Sequence, residues 1–165
     1  MDLTAECTLV ASGRLGFGLS NPWDGHAYLL RSGEEAVLVD SGCGREPEAL
    51  VLRVQSALRG ARLKAIFITH GHVDHSGGAA ALSQRFGVPV YAGPLACEIL
   101  RTADEEAVGL PGARESGIYP ADQRLLPVQD IRPAETLRFG NRTISPVSTP
   151  GHSADHVAYI ADLEN

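Results

Sequence analysis

The residues most suited to chemistry lie in the segment Thr69-His70-Gly71-His72-Val73-Asp74-His75-Ser76-Gly77-Gly78, directly after the apolar run 65–68. An extended backbone places residues two apart on one side, so His70 and His72 can converge on one ion, and Asp74 and His75 fall in the following turn. Imidazole and carboxylate are ligands that zinc accepts, so this spacing predicts a metal loop with room for two ions. The alternative, surface histidines in a strand-to-helix turn, is disfavoured because four candidate ligands, three histidines and one aspartate, cluster in six positions.

A second histidine follows a strand near the end of the chain, in Ser148-Thr149-Pro150-Gly151-His152. His152 is a good third ligand for the ion held by His70 and His72, which would leave an open position for water. A turn or capping histidine is the alternative. His156 begins the next apolar run, so we expect it to support the site rather than to bind the ion.

One carboxylate lies at the end of an apolar strand, at Asp40 after 36–39. A carboxylate in that position is costly unless it is hydrogen-bonded or close to opposite charge. Capping a turn or a helix is its alternative role.

The elements that must position these residues follow from hydrophobic periodicity and turn residues. We expect a β-α-β unit around the histidine loop, because strand, helix and strand patterns follow one another there. The predicted elements are a hairpin over 26–40, helices over 46–59, 78–87 and 94–106, a short strand over 88–91, a loop or flap over 109–127, a hairpin over 135–147 and a strand over 156–160.

Composition indicates one globular domain outside the membrane. The chain has 165 residues, of which 44% are hydrophobic and 21% charged, and a formal net charge of -6. That charge gives no global field for nucleic acid or anionic membrane, and no apolar run approaches the ~20 residues needed to cross a bilayer. Three cysteines without a C-x-x-C pair argue against a disulfide framework, so we expect a reducing, cytoplasmic setting.

The sequence resembles the metallo-β-lactamase superfamily, and within it the glyoxalase II-like hydrolases, in three segments: 69–78, 37–42 and 149–152. The resemblance implies an α/β fold, the four-layer αββα sandwich. It also implies that His70, His72 and His152 hold one metal, that Asp74 and His75 hold the other, and that Asp40 supports them. Asp74 would in addition orient the attacking hydroxide as the catalytic residue.

The chain departs from the family pattern near its end. In the family, a bridging aspartate about twenty residues beyond the counterpart of His152 and a further histidine complete the pair of metals. Asp162 lies too close to His152 and lacks the preceding glycine, so we do not accept it as the bridge. We therefore expect residues 1–165 to form one domain that lacks its C-terminal portion, with an apolar sheet face left for a second copy or a C-terminal segment to cover.

These features predict a metal-dependent hydrolase of a thioester, lactone or similar small carbonyl compound, as part of a longer enzyme. Zinc is the expected metal, as one or two ions, and iron or manganese is compatible with the same ligands. Two alternatives are an RNA or phosphodiester hydrolase, since the same ions can stabilise displacement at phosphorus, and a catalytically incomplete metal-binding module. The substrate itself is not encoded in a readable way.

Overall fold

The computed structural model describes residues 1–163, which contain nine β-strands in two sheets and five α-helices. The strands are β1 (Cys7–Ala11), β2 (Ala27–Ser32), β3 (Glu35–Val39), β4 (Arg62–Ile68), β5 (Val90–Ala92), β6 (Ile131–Pro133), β7 (Leu137–Phe139), β8 (Arg142–Ser148) and β9 (Val157–Ala161). The helices are α1 (Pro47–Leu58), α2 (Val73–Ser76), α3 (Ala79–Phe86), α4 (Pro94–Thr102) and α5 (Leu110–Glu115).

The larger sheet has the strand order β1-β2-β3-β4-β5-β6, and the smaller sheet has the order β7-β8-β9. The first three strands pair antiparallel, whereas β3, β4, β5 and β6 pair parallel. The parallel part contains the β-α-β unit that the sequence predicts. Residues 65–68 of β4 are fully buried, as expected for a central parallel strand covered on both faces.

Alternation along β4 divides the apolar side chains between two cores. Ile66 and Ile68 pack with the helices, whereas Ala65 and Phe67 pack against the smaller sheet. A period of two is what places successive side chains on opposite faces of a strand. The described residues thus form a layer of helices, the larger sheet and the smaller sheet, which are three of the four layers expected.

Most predicted elements are present, and two predictions are wrong in detail. The helix expected over 94–106 ends at Thr102, because Ala103 takes a left-handed conformation with φ 54°. The segment 109–127, predicted to be a loop, contains α5. Gly109 takes a left-handed backbone conformation and a proline lies in the first turn of α5. The glycine and proline that predicted a loop therefore also begin a short helix.

The outer face of the smaller sheet carries exposed apolar side chains. Val147 is 42% exposed and Ile160 is 64% exposed, whereas Ile144 on the inner face is fully buried. These two side chains share the outer face with polar residues such as Ser145, which lies opposite Ile160, so the face is only partly apolar and its covering by a second copy or a further segment stays a prediction.

None of the helices within residues 1–163 has the length and apolar character needed to span a membrane.

Candidate metal centre

The histidine loop begins where β4 ends and continues into α2. His70 lies in the irregular segment between them, and His72 is the N-cap residue of α2, with φ -55° and ψ 139°. Glycine is required just after this helix, since a Cβ on Gly78 would overlap the carbonyl oxygen of Ser41. The close approach of these two backbones holds the histidine loop against the turn that follows β3.

Three imidazole nitrogens from two distant loops meet at one point. His70 Nε2 lies 3.1 Å from His72 Nδ1, which in turn lies 3.1 Å from His152 Nε2. All three atoms lie within 4.8 Å of one another. His70 is buried, His72 is partly buried and His152 is exposed, so the cluster opens to solvent on the His152 side.

Thr69 fixes the tautomer of His70. The Thr69 hydroxyl lies 2.9 Å and 3.0 Å from the two Asp40 carboxylate oxygens and 2.9 Å from His70 Nδ1. A carboxylate only accepts hydrogen bonds, so the single hydroxyl proton is donated to Asp40, and Thr69 Oγ1 accepts from His70 Nδ1–H. His70 Nε2 is then left with a lone pair directed into the cluster.

The donor set fits a divalent cation such as zinc. In a tetrahedral site with zinc–nitrogen bonds of ~2.0–2.1 Å, neighbouring nitrogens are about 3.3–3.4 Å apart, close to the spacings observed here. His72 Nδ1 faces two other ring nitrogens, and its single proton or lone pair cannot form ordinary hydrogen bonds with both. A shared cation satisfies all three nitrogens at once.

Asp40 links His75 to the three-imidazole cluster through hydrogen bonds. It is buried at 4% exposure and takes a left-handed backbone conformation with φ 62°, which is uncommon outside glycine and is typical of functional positions. Its Oδ1 accepts from the Thr69 backbone N–H at 2.8 Å, and its Oδ2 accepts from His75 Nδ1 at 2.8 Å. One carboxylate therefore orients both His70, through Thr69, and His75.

Asp74 and His75 lie beside the three-imidazole cluster. Because His75 Nδ1 donates to Asp40, the neutral form of this ring has its lone pair on Nε2, which lies 3.4 Å from Asp74 Oδ2. The Asp74 side chain is 44% exposed, and the His75 ring centroid is 4.5 Å from that of His70. A lone pair and a carboxylate oxygen at this distance can hold a second cation between them.

The loop that carries His152 is joined to the histidine loop by backbone and side-chain hydrogen bonds. The Val157 N–H donates to Thr69 O at 2.8 Å, and Asp155 Oδ2 accepts from the Gly71 N–H at 2.6 Å. Within the loop, His156 Nδ1 lies 2.8 Å from Thr149 Oγ1. Asp155 belongs to none of the motifs that predict the site, and only the folded chain brings it to Gly71.

Asp162, rejected as a bridging ligand, lies away from the cluster. Its Oδ1 accepts from the Thr143 N–H at 2.5 Å within the smaller sheet. His26, the first residue of the predicted hairpin over 26–40, packs its ring on Tyr28 with centroids 6.1 Å apart.

Burial and local charge shift the pKa values of His70 and His75 in opposite directions. Burial, with the positive charge of the surrounding histidines, lowers the pKa of His70 to about 3. Burial also acts to lower the pKa of His75, but the hydrogen bond and charge of Asp40 outweigh it, so the net pKa is raised. His70 is accordingly neutral and available as a ligand at pH 7.

Two grooves meet at His72. The first, of about 440 Å³, is walled by Trp23, Ile118 and Tyr119 and also contains His72, Asp74 and His75. The second, of about 520 Å³, is bordered by Glu98, Asp104 and Asp155. Neither groove is lined by a lysine or an arginine among the residues that the structure describes.

The fold and the histidine cluster agree with one known superfamily of proteins. The family model described as the metallo-beta-lactamase superfamily matches residues 20–164. The chain therefore belongs to the metallo-beta-lactamase superfamily, as the histidine motifs predict.

Relatives and solved structures agree with this membership. A hydroxyacylglutathione hydrolase of Cupriavidus taiwanensis is 34% identical over 140 residues, which are 85% of this chain and 44% of that protein. An atrochrysone carboxyl ACP thioesterase of Aspergillus fumigatus is 27% identical over 84% of this chain and 36% of that protein. A metallo-beta-lactamase structure from Cronobacter sakazakii matches 99% of this chain and 59% of its own with a TM-score of 0.74 and 20% identity, which shows a shared fold.

The chain spans about half the length, or less, of the relatives just described. The similarity therefore concerns the region that this chain has in common with those relatives.

Proposed function

We propose that this chain carries the metal centre of a zinc-dependent hydrolase that acts on a thioester, a lactone or a similar small carbonyl compound. The observation that carries the proposal is the convergence of His70, His72 and His152, with the His70 lone pair directed into the cluster. Two relatives whose names describe thioester chemistry, a hydroxyacylglutathione hydrolase and an ACP thioesterase, support the reaction class.

The roles of the residues follow from their contacts. His70, His72 and His152 would hold the first ion, and Asp74 and His75 would hold a second. A bound ion supplies Lewis acidity, which polarises a carbonyl group and lowers the pKa of water to about 7.

Four side chains position these ligands or act on the reactants. Thr69 would leave the Nε2 lone pair of His70 directed at the ion, and Asp40 would hold the proton of neutral His75 on Nδ1, so that Nε2 is the nitrogen available to an ion. Asp74 is exposed enough to reach water, so it would orient the attacking water and accept its proton. His156 would hold the His152 loop through Thr149.

Local charge favours a carbonyl substrate over a phosphodiester. Five carboxylates border the two grooves at His72: Asp24, Asp74, Glu98, Asp104 and Asp155. A polyanionic substrate would meet like charge on both sides of the cluster, which costs affinity.

The test is metal content and hydrolysis measured on the same samples. We expect elemental analysis to find zinc, and His152→Ala to lose the ion of the three-imidazole site together with hydrolysis of a chromogenic thioester and a lactone. Asp162→Asn is the matched control, because its carboxylate lies outside the cluster. Metal-dependent cleavage of RNA without thioesterase activity would contradict the proposal, as would retention of zinc by His152→Ala.

Self-association and location follow as further proposals. A second copy covering the exposed face at Val147 and Ile160 would make the protein a dimer in light scattering. A monomer at every concentration would remove that idea. Residence in a reducing, cytoplasmic compartment is supported by three free cysteines, Cys7, Cys43 and Cys97.

A further inference from the structure

We propose that the groove walled by Trp23, Ile118 and Tyr119 binds the apolar alkyl chain of an acyl substrate whose carbonyl lies at the histidine cluster. The inference rests on the proposed hydrolase function and names the substrate class: thioesters or lactones with an apolar acyl chain.

The wall of this groove is aromatic and aliphatic. The rings of Trp23 and Tyr119 lie 6.2 Å apart between centroids and are tilted by 46°. Tyr119 is only 5% exposed, and burial raises the pKa of its phenol, so the ring stays neutral. The Arg14 guanidinium lies 3.7 Å from the centre of the Trp23 ring, which holds the indole in place through a cation–π contact.

Exposed apolar side chains at the mouth of the groove favour an apolar occupant. Leu15, in the glycine-rich loop between β1 and β2, is 96% exposed, and Ile118 is 39% exposed, and both border the groove. Phe17 of the same loop is 62% exposed and packs edge-on against His26, another lining residue. Such a concentration of large apolar side chains is typical of a surface that a ligand covers.

The groove also contains side chains of the candidate metal site, which indicates that the molecule in the groove is the substrate. His72, Asp74 and His75 line the same groove, so a chain lying along its apolar wall leads to the cluster. The volume of about 440 Å³ falls within the range of small-molecule sites. Both grooves are bordered by carboxylates, Asp24 and Asp74 in the first and three in the second. Only the first has tryptophan and tyrosine rings in its lining, so it is the better site for an alkyl chain.

Trp23 provides a direct test, because it is the single tryptophan of the chain. Zinc-loaded protein is titrated with methyl alkyl ketones of four, six, eight and ten carbons, which are neutral carbonyl compounds that cannot be hydrolysed. We expect a change in Trp23 fluorescence and a Kd that falls roughly three- to fourfold for each buried methylene. The gain should level off once the chain fills the groove.

Variants with exposed side chains test the location without disturbing the core. Leu15→Ser and Ile118→Ser should weaken the ten-carbon ketone about fivefold and leave the four-carbon ketone little changed. Leu52→Ser is the matched control, since Leu52 is 66% exposed but lines a different groove. Its ketone affinities should equal those of the unmodified protein.

The outcomes separate this inference from the proposed function. Affinity independent of chain length, or equal losses in Leu15→Ser and Leu52→Ser, would overturn the acyl groove even in a protein that hydrolyses thioesters. Chain-length-dependent binding by a protein that hydrolyses no ester, thioester or lactone would support the groove and overturn the hydrolase.

Discussion

Replacing Thr69 by valine should weaken metal binding without changing any ligand. Valine keeps the shape of threonine but removes the hydroxyl that accepts from His70 Nδ1–H and donates to Asp40. The tautomer of His70 is then no longer determined, and its ring can carry the proton on Nε2, the nitrogen that faces the cluster. Loss of such a supporting hydrogen bond costs about 10- to 100-fold in metal affinity, equivalent to about 1.4–2.7 kcal/mol.

The same change should lower the stability of the metal-free protein. Asp40 is buried and loses one of its donors, and a hydrogen bond to a charged group contributes about 1.5–3 kcal/mol. Thr69→Ser retains the hydroxyl and is the matched control, with metal affinity expected within about threefold of the unmodified protein, well below the loss expected for Thr69→Val.

Zinc affinity is measured by competition with a chelator, stability by urea denaturation, and the tautomer by nitrogen-15 NMR of the histidine rings. The NMR spectrum of the unmodified, metal-free protein should show His70 protonated on Nδ1. A His70 proton on Nε2 would refute the reasoning, as would equal zinc affinities for Thr69→Val and Thr69→Ser.

Three further predictions concern stability. Asp40→Asn should lower the free energy of unfolding of the metal-free protein by about 2–4 kcal/mol in urea denaturation, since an amide cannot accept on both sides; an unchanged midpoint would contradict this. Gly78→Ala should cost about 1–3 kcal/mol in the same assay because its methyl group meets the carbonyl of Ser41, whereas Gly112→Ala, with open space around it, should cost nothing. Acidification from pH 6.5 to 5 should destabilise the metal-free protein by about 1.6 kcal/mol more than His70→Gln in thermal unfolding, because the unfolded chain protonates His70 near 6.5 and the folded chain only near 3. His75, whose pKa is raised, acts in the opposite direction in both proteins, so the comparison isolates His70, and equal slopes would contradict the prediction.

Local patterns predicted most of the fold. The apolar run in β4 and the turn at Gly140 are encoded by residues close in sequence, so period and turn chemistry were sufficient for them. The end of α4 and the presence of α5 were not predicted, because both depend on a left-handed backbone conformation, at Ala103 and at Gly109. That choice is made by the surrounding packing rather than by the residue type alone.

The candidate site, like the fold, was predicted only in part from the sequence. The histidine spacing identified all three imidazoles that meet, because two of them share one loop and the third lies in a turn of similar sequence. The spacing did not predict that Thr69 sets the tautomer of His70, because that role depends on the contact of Thr69 with Asp40, 29 residues away. Nor did it predict that Asp155 binds the Gly71 amide, a hydrogen bond across 84 residues that leaves no periodic pattern in the sequence.

The sequence by itself determined the ligand types, their order in the loops and the family to which the chain belongs. Only the tertiary structure decided that His152, 80 residues from His72, completes the cluster. Packing of the two sheets on Phe67 and Tyr159, whose rings lie 5.1 Å apart, contributes to bringing those loops to the same edge. Bringing two distant loops together depends on the burial of apolar surface between segments far apart in the sequence. The volume and shape of the packed side chains decide the result, so no single segment predicts it.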